Sequence, residues 1–198
     1  MTTARDLVLI ALTMSPGELT GQGELSLALA GAEAIDLLHN GALRLDRDRL
    51  VPGPQTLSGD LLLDQAGASL VRQEPYETLD DWLWRRAETL VPAYADALER
   101  AGQVIRPHGH GLRLLSGKAV LTDSQKRREA EERRASGEPV LAALLAALGQ
   151  PSEADDSLLD DAVTTVLAAV GDAVMQLETV RLRRDIENAA FDNVWRGW

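Results

Sequence analysis

The sequence of 198 residues has no cysteine, two lysines against eighteen arginines, and only four Trp, two Tyr and one Phe. Without cysteine there is no disulfide, no thiolate zinc site and no sulfur nucleophile, and the redox compartment stays open. So few aromatics leave a core of Leu, Ala and Val, a composition that suits helices better than strands. Positive charge is also scarce: the net charge is −11. Nucleic-acid binding relies on cations that neutralise phosphates, so this balance weighs against a nucleic-acid partner and against general adhesion to anionic membranes. The apolar run at the start, "DLVLIAL", is too short to span a bilayer. Arg5 is cancelled by Asp6, so the run reads as a helix of a cytoplasmic protein rather than a signal peptide. The excess of Arg over Lys points to a GC-rich bacterial genome.

What is present is an ordinary globular composition, 45% hydrophobic and 26% charged, in a length that suits one domain over 1–198. Apolar spacing predicts a first helix over Asp6–Met14, with Leu7, Ile10, Ala11 and Met14 on one face, ended by Ser15-Pro16-Gly17. "GELTGQGELS" reads as loop or short strand. "LALAGAEAIDLLHNG" reads as a helix stopped by Asn40-Gly41. "ALRLDRDRLVPG" alternates as a β-hairpin around the polar turn "DRDR". Ser58 is placed to cap the next helix, with Asp60 in its first turn and Leu61, Leu62, Ala66 and Leu70 inward. Thr78-x-x-Asp81 is a capping box, and Pro92 breaks or restarts the helix it opens. A second hairpin is expected, with strands near Val104–Arg106 and Leu112–Leu115. "TDSQKRREAEERRASGE" reads as a solvated helix and "PVLAALLAALG" as a buried one that starts at Pro139. "PSEADD" reads as a linker. The last helix is predicted over Leu158–Ile186, with Leu159, Val163, Val166, Val170, Ala173, Leu177 and Val180 on its buried face.

Helix-plus-hairpin occurs twice, the outline of a winged helix. In the first hairpin, however, Arg44, Arg47 and Arg49 alternate with Asp46 and Asp48, which leaves little net field for DNA. His108 and His110 lack a third metal ligand. The carboxylates Asp155, Asp156, Asp160 and Asp161 have no metal-site spacing and suit a helix N-terminus. No nucleophile elbow, phosphate loop, dinucleotide fingerprint or zinc helix is present, so the residues point to no reaction, cofactor or metal. Trp82 and Trp84 cannot share one helix face, so one is expected in the core and one at the surface beside Arg85 and Arg86. Trp195 and Trp198 are costly to leave in water and are expected to dock on the domain, on a protein partner or on a second copy.

The ordered set "DLVLIAL", "LALAGAEAIDLLHNGALRL", "SGDLLLDQAGASL", "ETLDDWL" and "ALERAGQVI" resembles the Golgi phosphoprotein 3 family over roughly residues 5–150. That resemblance implies a mainly α fold: a single-domain helical bundle ringed by amphipathic helices, with peripheral β-hairpins. It also implies, for eukaryotic members, peripheral binding to membranes containing phosphatidylinositol 4-phosphate and an adaptor role, without enzymatic activity. Those members use a Trp and several Arg that fall in the segment matching "LTGQGELSLALAG", which here has no aromatic and no basic residue. Ala30 stands where they place an Arg, and the tip "RPHGHG" is polar where theirs is apolar. The expected function is therefore a peripheral membrane-binding or adaptor domain on the inner face of the membrane. Its candidate contacts to an anionic lipid headgroup are Arg106, Arg113 and Lys118, with Arg85 and Arg86. A protein-interaction or homo-oligomerisation module using Trp195 and Trp198 is the alternative, and a winged-helix-like DNA binder the lesser one.

Overall fold

The computed structural model describes residues 2–14, 21–105, 120–121, 124–151, 157 and 159–195. Eight helices occur among them: α1 (Thr3–Thr13), α2 (Gln22–His39), α3 (Leu61–Ala68), α4 (Leu79–Ala87), α5 (Leu90–Arg100), α6 (Gln125–Ala135), α7 (Pro139–Ala147) and α8 (Asp161–Trp195). Two antiparallel hairpins complete the described chain: β1 (Leu43–Asp46) with β2 (Arg49–Pro52), and β3 (Val104–Ile105) with β4 (Val120–Leu121). The expected mainly α fold with peripheral hairpins is what the chain adopts.

Helix α2 is the axis, packed by α1, α3, α4, α5, α7 and α8. Its residues from Glu24 to Ile35 are buried on every face, as a helix surrounded by others requires. The expected loop or strand before Leu27 is corrected: α2 already begins at Gln22. Glu24 makes this possible. Its carboxylate accepts the Gly21 N–H at 3.0 Å and so satisfies a donor that the helix start would leave bare.

Helix α1 begins at Thr3 rather than Asp6. Asp36 of α2 supplies its cap: its two oxygens accept the N–H groups of Thr3 and Ala4 at 3.1 and 3.3 Å. Instead of the single apolar face expected, Leu7, Val8, Leu9, Ile10 and Ala11 are all buried. Neighbours on several sides, α2, α6 and α7, explain this.

The β1–β2 turn is Arg47-Asp48, with Asp46 opposite Arg49. Leu50 and Leu79 donate N–H bonds to Glu77 and Asp48, which seat the hairpin on the start of α4. In α3 the cap is Asp60 and not Ser58: the Asp60 carboxylate accepts from the N–H groups of Leu62 and Leu63. The Ser58 hydroxyl instead turns to Asp64 at 2.7 Å. Leu62, Leu63, Ala66 and Leu70 are buried, whereas Leu61, expected inward, faces solvent.

Thr78 caps α4 as expected, accepting the Asp81 N–H, but the return bond runs from its hydroxyl to the Asp81 carboxylate. Trp82 is fully buried and Trp84 half-buried. The break between α4 and α5 falls at Glu88 and Thr89, three residues before Pro92, which sits in the first turn of α5 where a missing N–H is tolerated. Strand β3 pairs with Val120–Leu121 rather than with the expected 112–115, which lies outside the described residues, as does most of "PSEADD".

Helix α8 runs to Trp195, nine residues past the predicted end, and begins at Asp161 rather than Leu158. Val163, Val166, Val170 and Ala173 are buried as expected, with Leu177 half-buried, but Val180 is exposed. The stretch Asp161–Arg184 is long and apolar enough to cross a membrane by length and composition. Its inner face packs on α2, α4 and α7. The approach to α2 is close: a Cβ on Gly31 would stand 2.2 Å from Val170 Cγ2 and one on Gly23 2.7 Å from Leu177 Cδ2.

Candidate functional site

Burying Leu79, Trp82, Leu83 and Ala87 turns one face of α4 into the core and leaves Arg85 and Arg86 on its flanks. Both are engaged within the molecule. Arg85 grips the two oxygens of Glu77 at 2.6 and 2.7 Å and bonds the Ser69 carbonyl at 3.3 Å. That carboxylate raises the Arg85 pKa further.

Arg86 grips Glu33 of α2 at 2.7 and 3.0 Å and bonds the Leu62 carbonyl at 3.2 Å. Tyr94 of α5 donates to the same carboxylate at 3.1 Å. Glu33 has no solvent exposure and Arg86 little. Burial raises the Glu33 carboxyl above its ordinary value despite the bonds from Arg86 and Tyr94. Burial and the neighbouring Glu33 charge push the Tyr94 phenol well up. The network ties α2, α3, α4 and α5 together.

The same device recurs around α1 and α8. Asp60 accepts from Arg5 at 2.8 Å. Arg133 of α6 bridges the buried Asp6 of α1 and Glu138, 3.1 Å away at the start of α7. Burial raises the Asp6 carboxyl, opposed by Arg133. Arg181 of α8 reaches the buried Glu24 at 2.8 Å. Arginines that lie far from their acids in sequence are spent on carboxylates inside the fold, which is the reason the charge run 123–134 is more than a solvated face.

The segment in which the resemblance to the Golgi phosphoprotein 3 family would place a phosphoinositide pocket includes the start of α2. The groups placed there are the buried carboxylate of Glu24, the buried Ala30 and, from α8, Arg181. A Cβ at Gly21 would meet the Arg181 guanidinium at 2.5 Å, so a side chain there would have to displace that flexible end. Arg181 is the cation sequence reading missed. It joins the site across 157 positions, a separation that no local pattern carries.

Between α2, the loop after β2 and α3 lies a groove of about 220 Å³, lined among others by Leu37, Ala42, Leu57, Leu63, Asp64 and Arg72. Of its lining residues Leu57 is 90% exposed, and Leu61 and Val71 are exposed apolar side chains as well. Bonds from the Ser58 N–H and hydroxyl hold the Asp64 carboxyl below its ordinary value. The Ser-Gly-Asp turn is thus filled by its own carboxylates and presents no anion cradle. Among the described residues no group of three His, Asp or Glu could hold a metal ion.

The remaining sequence-derived candidates are Arg106, Arg113, Lys118 and Trp198, which lie outside the described residues, and Trp195, the last residue of α8. No curated protein matches the chain. The family model for Golgi phosphoprotein 3 (GPP34) matches residues 4–193, and with that match across nearly its whole length the chain belongs to the Golgi phosphoprotein 3 family.

Proposed function

We propose that this chain is a non-enzymatic adaptor domain that meets an anionic lipid surface peripherally, through Arg106, Arg113 and Lys118. One observation carries the reading. Residues 106–119 contain three cations and not one Asp or Glu, in a chain of net charge −11, and they lie in sequence between the paired strands β3 and β4. Leu112, Leu114 and Leu115 lie in the same stretch and supply apolar contact beside the charge. Each cation near an anionic surface is worth about 1 kcal/mol, an attraction screened over ~8–10 Å at ordinary ionic strength. Three cations give weak, salt-sensitive binding.

Arg85 and Arg86 support this surface poorly, because Glu77 and Glu33 already neutralise them. The start of α2, with Ala30 where the family's lipid-binding members place an Arg, favours a generic anionic headgroup over a dedicated phosphoinositide pocket. Vesicle co-flotation tests the proposal, with neutral vesicles, vesicles holding a generic anionic lipid, and vesicles holding phosphatidylinositol 4-phosphate. Salt-sensitive binding to both anionic sets is expected, abolished by replacing Arg106, Arg113 and Lys118 with Gln and unchanged by Arg85→Gln. Binding to the phosphoinositide vesicles alone would move the site to the start of α2, and binding to none would sink the reading.

A further inference from the structure

Past Leu177 the inner face of α8 loses its partners. Arg181 makes the last described contact with the body, and Leu182, Arg183, Arg184, Ile186 and Glu187 are all exposed. A helix of 35 residues is about 52 Å long, and its described side chains from Thr179 to Glu187 are exposed. A free helical segment of that length is marginal in water without a packed face. Yet on the side opposite the core stripe, Met175, Leu182 and Ile186 are 62%, 62% and 69% exposed. Their spacings of seven and four place them on one stripe.

We infer that this stripe is the seam of a parallel two-stranded coiled coil with α8 of a second copy of the chain. The register follows from the residues. Met175 and Leu182 occupy d positions and Thr179 and Ile186 a positions, the β-branched-at-a and Leu-at-d arrangement that favours two parallel strands.

Val166, Val170, Ala173 and Leu177, which face the body, then fall at b and f, on the side away from the seam. Charge selects the orientation. Glu178 takes a g position, and Gln176 and Arg183 the e positions. In a parallel pair Glu178 of one copy meets Arg183 of the other, twice by symmetry, and no like charges face each other across these flanks. An antiparallel pair would set g against g and e against e, so that Glu178 and Arg183 no longer meet. About three heptads with Asp172 at the first a position make a weak dimer, driven by protein concentration.

The absence of cysteine makes the test clean. In sedimentation equilibrium of the full chain, the weight-average mass should rise from 21.4 kDa toward twice that value with concentration. The Leu182→Glu/Ile186→Glu variant should stay monomeric with an unchanged melting curve, since both positions are exposed. Arg183→Glu should weaken the dimer, and adding Glu178→Arg should restore it. Ile186→Cys should oxidise to a covalent dimer, whereas Gln176→Cys, off the seam, should not. Monomer at every concentration would overturn the inference. So would failure of the charge exchange to restore association, or failure of Ile186→Cys to cross-link. If the glutamate variant instead lost vesicle binding with no change in mass, the stripe would belong to a lipid surface and the inference would equally fall.

Discussion

Replacing Arg86 by Met removes the only cation among the described residues bonded to Glu33, a carboxylate with no solvent exposure. The side chain keeps one bond, from Tyr94 at 3.1 Å, and the Leu62 carbonyl loses its guanidinium donor. Leaving one member of a buried ion pair alone costs about 3–5 kcal/mol. For a chain of this length each kcal/mol moves the melting temperature by ~2–4 °C, so the drop should be about 6–20 °C. Stability should be read both from thermal melts and from urea titrations followed by circular dichroism, at neutral pH and near pH 5. A lone Glu33 escapes its penalty by taking up a proton, so the loss should shrink at the lower pH.

The double variant Arg86→Met/Glu33→Met exchanges the pair for apolar volume and should recover most of the loss. This also keeps the test decisive if the single variant does not fold. A single variant that loses under ~1 kcal/mol, or a double variant no better than the single, would refute the reading of this network as the clamp between α2 and α4. For membrane work the corollary is practical: impaired vesicle binding by an Arg86 variant would report unfolding, so Arg85 is the informative position on α4.

Asp60→Ala should cost more than Ser58→Ala in thermal melts, because Asp60 both caps α3 and holds Arg5; a lost cap alone is worth about 1 kcal/mol. Gly31→Ala should lose about 1–3 kcal/mol by urea titration, and Val170→Ala, by opening the space the new Cβ needs, should rescue part of it. Asp36 gives a pH dependence. Burial raises its carboxyl despite the bonds from Thr3 and Ala4, so the native chain keeps a proton where the unfolded chain has released it. Its contribution is therefore most favourable at and below the ordinary carboxylate range, near 4, and declines as pH rises through the raised value. Relative to the parent, Asp36→Asn should gain stability as pH rises toward neutral, measured as urea midpoints. A difference that stays flat or runs the other way would contradict this assignment.

Much of the architecture was legible in local chemistry. Thr78 and Pro139 mark the starts of α4 and α7 because a cap and a fixed φ act within one turn. The stripe Val163, Val166, Val170 and Ala173 was readable because helical periodicity needs only a dozen residues to declare itself. The β1–β2 turn followed from strict alternation on either side of "DRDR". The misreadings share another cause. Gln22–Ser26 looks like loop by composition, but its helix is secured by a carboxylate that α8 neutralises from 157 positions away. Leu61 has the right residue type for the core and points outward because capping by Asp60 sets the phase of α3.

The candidate site divides in the same way. Arg85 and Arg86 stand out in the sequence as adjacent cations beside a tryptophan, and only the fold reveals Glu77 and Glu33 as their partners. Arg181 sits unremarked in a polar run until the antiparallel packing of α8 on α2 carries it to Glu24. The sequence by itself determined the helical class, most element starts and the acid-free segment 106–119, since propensity, capping and composition are local properties. The tertiary structure alone decided which arginines are spent inside the molecule and which apolar face of α8 is left bare. Pairing and burial depend on contacts between residues that only packing brings together.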